Sequence, residues 1–123
     1  MKLSRWKNLL FKGRRALIIM VLIYTTCRDT KEAAKLGTMI LKEKLASCVN
    51  LWPIQTIYHG ETPGELKNEL EAVLMIKTME TRITDIEELI SKNHSYAVPY
   101  IGAIDIRRFN RDYREWMTTV IKQ

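Results

Sequence analysis

The chain predicts one small α+β domain, a split β-α-β sandwich with a long central hairpin and an added C-terminal helix. Three observations lead there. The hydrophobic pattern alternates between strand-like runs and helical stripes in the order β-α-β-β-α-β-α. The two middle strands are separated by a short polar turn, so Ser47 to Thr78 reads as one long antiparallel hairpin. A length of 123 residues with 46% hydrophobic content suffices for one core and leaves no room for a second domain.

Leu17 to Tyr24 is apolar throughout and rich in branched side chains, the pattern of a strand buried on both faces. Asp29 or Thr30 then caps a helix, because a short oxygen-bearing side chain satisfies the first free N–H groups. Ala33, Leu36, Gly37, Ile40 and Leu41 recur behind it at helical spacing, with Lys31, Lys35, Lys42 and Lys44 on the wet side. A strand follows from about Ser47 to Tyr58. Pro53 interrupts it and, lacking an N–H, predicts a bulge or an edge position.

Gly60 to Asn68 supplies the turn, with Pro63 and Gly64 as turn residues. Glu69 to Thr78 returns with Ala72, Leu74 and Ile76 on one face and Val73, Met75 and Lys77 on the other. Thr84 or Asp85 caps a second helix, whose buried stripe is Ile86, Leu89 and Ile90. Pro99 ends helical structure, Tyr100 to Ile106 reads as a last core strand, and Asn110 caps a terminal helix containing Tyr113, Trp116, Met117 and Val120. A hairpin of this length overhangs a small sheet, and unpaired edges of that kind are normally covered by another chain. Leu51, Trp52, Ile54 and Ile57 are therefore expected to be buried by a partner subunit.

The formal charge of +6 is confined to one end. Lys2, Arg5, Lys7, Lys12, Arg14 and Arg15 stand among the first 15 residues with no acid, and the 14 basic and 14 acidic residues beyond them cancel. Residues 1–16 thus form a basic tail, expected to be disordered or to act in targeting, and residues 17–123 the single domain. A neutral body argues against specific nucleic-acid binding, which needs a basic face on a folded element. The tail alone gives weak, salt-sensitive attraction to anionic lipid, so any membrane contact is expected there.

The apolar run Ala16 to Tyr24 after the tail has the look of a secretory signal, but Tyr24-Thr25-Thr26 before Cys27 are not the small residues a signal peptidase prefers. An organellar presequence, or a natural start at Met20, accounts for the tail as well. Cys27, in a polar turn, and Cys48, in an apolar strand, do not make a disulfide framework. A reducing, cytoplasmic setting is expected, with an organellar or exported one if the tail is a targeting segment.

Three short segments occur in a fixed order: EKLASCVNLWPIQTIY from Glu43 to Tyr58, VLMIKT from Val73 to Thr78 and NHSYAVPYI from Asn93 to Ile101. In order and spacing they resemble the CutA family of divalent-cation tolerance proteins over about Ile18 to Val120. The resemblance implies a ferredoxin-like domain assembled as a homotrimer, with hairpins reaching across to neighbouring subunits. It further implies a non-enzymatic binding or signalling role linked to divalent metals, and a cleft between subunits lined by Cys27, Tyr58, Lys77, His94 and Tyr96.

His94 and Cys27 are the metal candidates, since imidazole and thiolate suit copper and softer ions. Three departures from the family pattern predict weak binding. A gapless alignment puts Thr25 where metal-binding members can place a cysteine, Asn93 stands where some carry a second histidine, and Tyr100 replaces the glutamate that follows "VP" in many. No cofactor is required, and copper or another divalent ion is the expected, weakly held ligand.

Enzyme signatures are missing: there is no Gly-rich phosphate loop, nucleophile elbow, C-x-x-C or H-E-x-x-H. Two other readings stay open. One is an anchoring hub that holds a membrane or protein through its tail. The other is an acylphosphatase-like hydrolase using Arg28 and an asparagine, which rests on fold analogy alone.

Overall fold

The computed structural model describes residues 18–123, and the basic tail and Leu17 lie outside the described residues. In chain order it has β1 (Met20–Cys27), α1 (Thr30–Lys42), β2 (Cys48–His59), β3 (Leu66–Met79), α2 (Ile83–Asn93), β4 (Ile101–Asp105) and α3 (Arg111–Val120), with a 3-10 turn at Glu80–Arg82 before α2. The strands form one antiparallel sheet in the order β2-β3-β1-β4. Each β-α-β unit therefore straddles a strand of the other, which is the expected split arrangement.

Alternation along the strands sorts the side chains into two layers. Val21, Ile23 and Cys27 of β1 and Ala72, Leu74 and Ile76 of β3 bury against Ala33, Leu36 and Ile40 of α1 and Ile86 and Ile90 of α2. The intervening residues point to the opposite face, where Met20 and Met79 meet Met117 and Ile121 at α3. Fully burying a side chain such as Ile76 or Leu74 is worth about 1.5–3 kcal/mol, so the first cluster carries most of the stability. Tyr113, Trp116 and Val120 pack around the second cluster half-buried.

Local chemistry fixes the ends of α1. Asp29 caps it as expected, its Oδ1 accepting from the Glu32 N–H at 2.8 Å. At the other end Lys44 adopts a left-handed φ of 58°. The Lys44 and Leu45 N–H groups then turn back to the carbonyls of Leu41 and Ile40, a Schellman turn that drops Leu45 into the core.

Several boundaries differ from those the sequence predicts. β1 starts three residues later than Leu17 and runs three past Tyr24, because Thr25 and Thr26 remain in the ladder and the buried Thr25 hydroxyl donates to the Tyr100 carbonyl at 2.7 Å. Cys27 thus ends a strand and is fully buried, where a polar turn was expected. β3 begins at Leu66, so the hairpin turn is shorter than predicted. α2 begins at Ile83, behind the 3-10 turn, with Arg82 paired to Asp85 at 3.0 Å. β4 is a five-residue edge strand with Ile104 half exposed, so it is not a core strand.

Pro53 sits at an edge, not at a bulge. The β2–β3 register runs without a slip from Cys48↔Lys77 through Pro53↔Ala72 to His59↔Leu66, and β2 is the outermost strand. Such a ladder tolerates a missing N–H where the nitrogen faces the free edge. β1 pairs with β3 only as far as Ala72, so the outer part of the hairpin, from Ile54 and Glu71 to the turn, stands clear of the sheet for about 20 Å. Leu51 packs against the chain's own core and Ile54 is half-buried. Ile57, Leu66 and Leu70 on the arm are 66%, 65% and 77% exposed, and Trp52 is exposed as well. Among the described residues no helix is long and apolar enough to cross a membrane.

α1 lies close to the sheet through Gly37, where an added Cβ would come within 2.8 Å of Val49 Cγ2 and 3.4 Å of Leu74 Cδ1. Gly37→Leu is expected to destabilise the fold by about 2 kcal/mol or more through overpacking, measured by urea unfolding. Wild-type stability in that variant would contradict the close helix-to-sheet contact.

Candidate functional site

Three segments converge at the end of β1. β1 delivers Cys27, the first turn of α1 delivers Glu32, and the C-terminal end of α2 delivers His94, whose backbone N–H closes the helix on Ile90 O at 2.8 Å. One ligand atom of each, a sulfur, a carboxylate oxygen and an imidazole nitrogen, lies within 4.8 Å of the others. This is a soft-to-intermediate donor set of the kind that suits copper or zinc.

Glu32 holds the corner together. Its carboxylate accepts from the Arg28 N–H at 2.9 Å, the Ser95 N–H at 2.8 Å and the Ser95 hydroxyl at 2.9 Å. Burial works against its charge, yet these donors outweigh it and hold the carboxyl below the ordinary glutamate range. The spacing of Asp29 and Glu32 is that of a capping box, in which the acid three residues after the cap turns back on the chain entering the helix. That spacing is the signal by which sequence reading would have found Glu32. Ser95 and Glu71 carried no comparable signal.

The imidazole of His94 is fully buried and both its nitrogens are engaged. Nδ1 accepts the Tyr96 N–H at 2.9 Å, which places the ring proton on Nε2, and Nε2 donates to the Thr26 carbonyl at 2.8 Å. Nδ1 also lies 4.0 Å from Glu32 Oε1. Burial, with Glu32, Glu71 and Asp29 nearby, pushes the Cys27 thiol up to about 12. The donors therefore match a soft cation in kind and spacing, while each is occupied by a proton or a hydrogen bond.

The other expected residues divide. Tyr96 stacks at a tilt on His94, with ring centres 4.7 Å apart, and its hydroxyl donates to Glu71 on β3. Burial and that carboxylate raise the Tyr96 phenol. Tyr58 lies further out on the arm, where its hydroxyl donates to Glu69 at 2.8 Å. Glu69 and Glu71 are two residues apart on the same face of β3, so both tyrosines face one acidic strip. Lys77 does not join them. It pairs with Leu22 and Cys48, five residues along β3 from the partner of Cys27, or about 17 Å away, and its Nζ sits 5.3 Å from the centre of the Tyr113 ring.

Residues 21–120 match the family model of the CutA1 divalent ion tolerance protein. The chain belongs to that family. It is 34% identical over 104 residues to the divalent-cation tolerance protein CutA of Pyrococcus horikoshii, covering 85% of this chain and all of that relative. It is 35% identical over 98 residues to the chloroplastic protein CutA 1 of Oryza sativa. The chain spans about half the length of that plant relative and of the Arabidopsis thaliana one.

The CutA1 structure from Oryza sativa superposes with a TM-score of 0.82 at 32% identity, over 86% of this chain and 96% of that one. The periplasmic divalent cation tolerance protein CutA from Archaeoglobus fulgidus superposes with a TM-score of 0.80 at 28% identity, over 84% of this chain and 99% of that one. The ferredoxin-like α+β fold is thus that of the CutA1 structures.

Glu32→Gln is expected to lower stability at pH 7 by about 2 kcal/mol, since hydrogen bonds to a charged acceptor are worth about 1.5–3 kcal/mol. The folded-state acid is stronger than the unfolded one, so the wild-type advantage is complete above the ordinary glutamate range. It fades as the pH falls below that range. Urea unfolding of both proteins at pH 7 and pH 3 measures this, and a gap that does not narrow in acid would rule out the ionised carboxylate as its source.

Proposed function

We propose that this CutA1-family chain is a non-enzymatic, self-assembling binding module in divalent-cation tolerance, with a soft cation contacting Cys27, Glu32 and His94. The convergence of a sulfur, an oxygen and a nitrogen donor from three separate elements carries this reading. Binding is weak by construction. An ion must take Nδ1 from the Tyr96 N–H or Nε2 from the Thr26 carbonyl, and the thiol must release a proton that burial retains. Metal uptake therefore releases protons and weakens on acidification.

The non-enzymatic reading is supported by the engagement of both His94 nitrogens in hydrogen bonds to the backbone, which leaves this imidazole no free nitrogen to serve as a base. Assembly as a homotrimer is supported by the exposed arm, with its unpaired strand edges and exposed Ile57, Leu66 and Leu70. The free cysteines support a reducing compartment.

Titration calorimetry with copper(II), and with redox-inert cadmium(II), is expected to give weak saturable binding that falls by about tenfold or more in His94→Gln and Cys27→Ser. Binding unchanged in both variants would remove the corner as the cation site. Light scattering is expected to give a mass near three times the 14.4 kDa chain. A monodisperse monomer at micromolar concentration would overturn the assembly reading.

A further inference from the structure

We propose that the apolar pocket between α3 and the sheet binds a small amphiphilic monocarboxylate, with its carboxylate at Lys77, Asn110 and Tyr113 and its hydrocarbon body against the methionines beneath. This site is separate from the Cys27 corner and does not rest on the cation reading.

α3 packs on the sheet face opposite α1 and α2, where Met117 and Ile121 from its C-terminal end are buried on Met20 and Met79 and Tyr113 from its first half is only partly buried. Towards its N-terminal half the helix and sheet leave an open-sided pocket of about 250 Å³. Met20, Leu22, Ile106, Phe109 and Met117 supply apolar wall, and Lys77, Asn110 and Tyr113 supply the polar groups. A mostly apolar pocket with a few convergent polar groups is the usual form of a small-molecule site.

Each polar group is uncommitted in the direction that matters. Lys77 carries the only formal charge on the lining, and its cross-strand neighbours Leu22 and Cys48 are uncharged. Among the described residues no carboxylate lies within ion-pair distance of it. Its Nζ is held instead over the Tyr113 ring, a cation–π contact that positions the charge without neutralising it. Asn110 occupies the cap position of α3, yet its side chain makes no capping bond. The Tyr113 hydroxyl has a long contact of 3.4 Å to Ser47 Oγ and lies beside the Cys48 thiol, and burial raises this phenol so that it keeps its proton to donate.

Charge and size define the ligand class. One cation with two neutral hydrogen-bonding groups matches a single carboxylate, which accepts at two oxygens. A volume just under the usual range of about 300–1,000 Å³ for small-molecule pockets excludes nucleotides. The apolar wall selects a short hydrocarbon or aromatic body.

The test titrates octanoate into the full-length assembled protein, labelled at the methionine methyl carbons and followed by NMR. Saturable shifts are expected at Met20 and Met117, with Met39 unmoved on the other sheet face. Lys77→Met is expected to weaken octanoate by about tenfold, the loss of one charge-assisted contact, while Lys77→Arg retains most of the affinity. The Met39 signal and the melting temperature report whether either variant has lost its fold. Octan-1-ol is expected to bind wild type and Lys77→Met alike, and more weakly than octanoate binds wild type. The proposal is overturned by any of three results: no saturable shift in the assembled protein, which would mean that a neighbouring copy fills the cavity; equal affinity for octanoate and octanol; or shifts spread equally over Met39 and Met75, the sign of detergent-like adsorption.

Discussion

β3 is hydrogen-bonded to β2 along the whole of β2, but to β1 only from Ala72 to Met79, and that inequality of length organises the molecule. Where β3 has partners on both sides, alternation puts Ala72, Leu74 and Ile76 beneath two helices and gives a dry core. Beyond Ala72 the same strand has one partner and no covering layer, and its apolar side chains stand in solvent. A free strand edge beside exposed apolar groups is unstable against association. The boundary between the self-sufficient half and the arm runs through Ala72, opposite Cys27.

The Cys27, Glu32 and His94 corner lies at that boundary, and it is held by a carboxylate more than by any metal-like geometry. Glu32 fastens the start of α1 to the loop after α2, while His94 ties that loop to the last turn of β1 through the Thr26 carbonyl. Tyr96 then reaches from the loop to Glu71 at the root of the arm. A buried charge is tolerated when hydrogen bonds replace its lost water, and here the donors come from two different segments. Exchange of a donor in this corner for an ion would therefore be felt at the loop and at the arm.

Element order, strand faces and the core helix stripes were legible in the sequence because they depend on periodicity within a single element. Ala72, Leu74 and Ile76 fell on one face as read, and Asp29 caps α1. What escaped depends on contacts between distant positions. Thr25 and Thr26 fell outside the strand read as Leu17 to Tyr24, because nothing nearby reveals that the carbonyl of Tyr100, 75 residues away, accepts the Thr25 hydroxyl. Glu32 went unread: its spacing from Asp29 marks a capping box, but nothing local shows that its partner Ser95 lies 63 residues on. Lys77 was placed on the correct face of β3, but periodicity does not say what covers that face, and it stands under α3 beside Tyr113. Of the candidate site, Cys27, His94 and Tyr96 were legible as neighbours, and the carboxylates between them were not.

The twelve-pair ladder of β2 and β3 runs without a bulge from Cys48 to His59, and this constrains how the arm can change in length. Inserting or removing one residue in either strand would turn every side chain beyond it to the other face. It would exchange Ile57 with Tyr58, and Leu70 with Glu69 or Glu71, as the groups each surface presents. A change that respects the pattern must take two residues from each strand, which alters the arm by about 7 Å. The reach of the hairpin is thus a stepped quantity, and homologous arms that keep these surfaces should differ by whole steps, with irregular lengths absorbed only in the turn from Gly60 to Glu65.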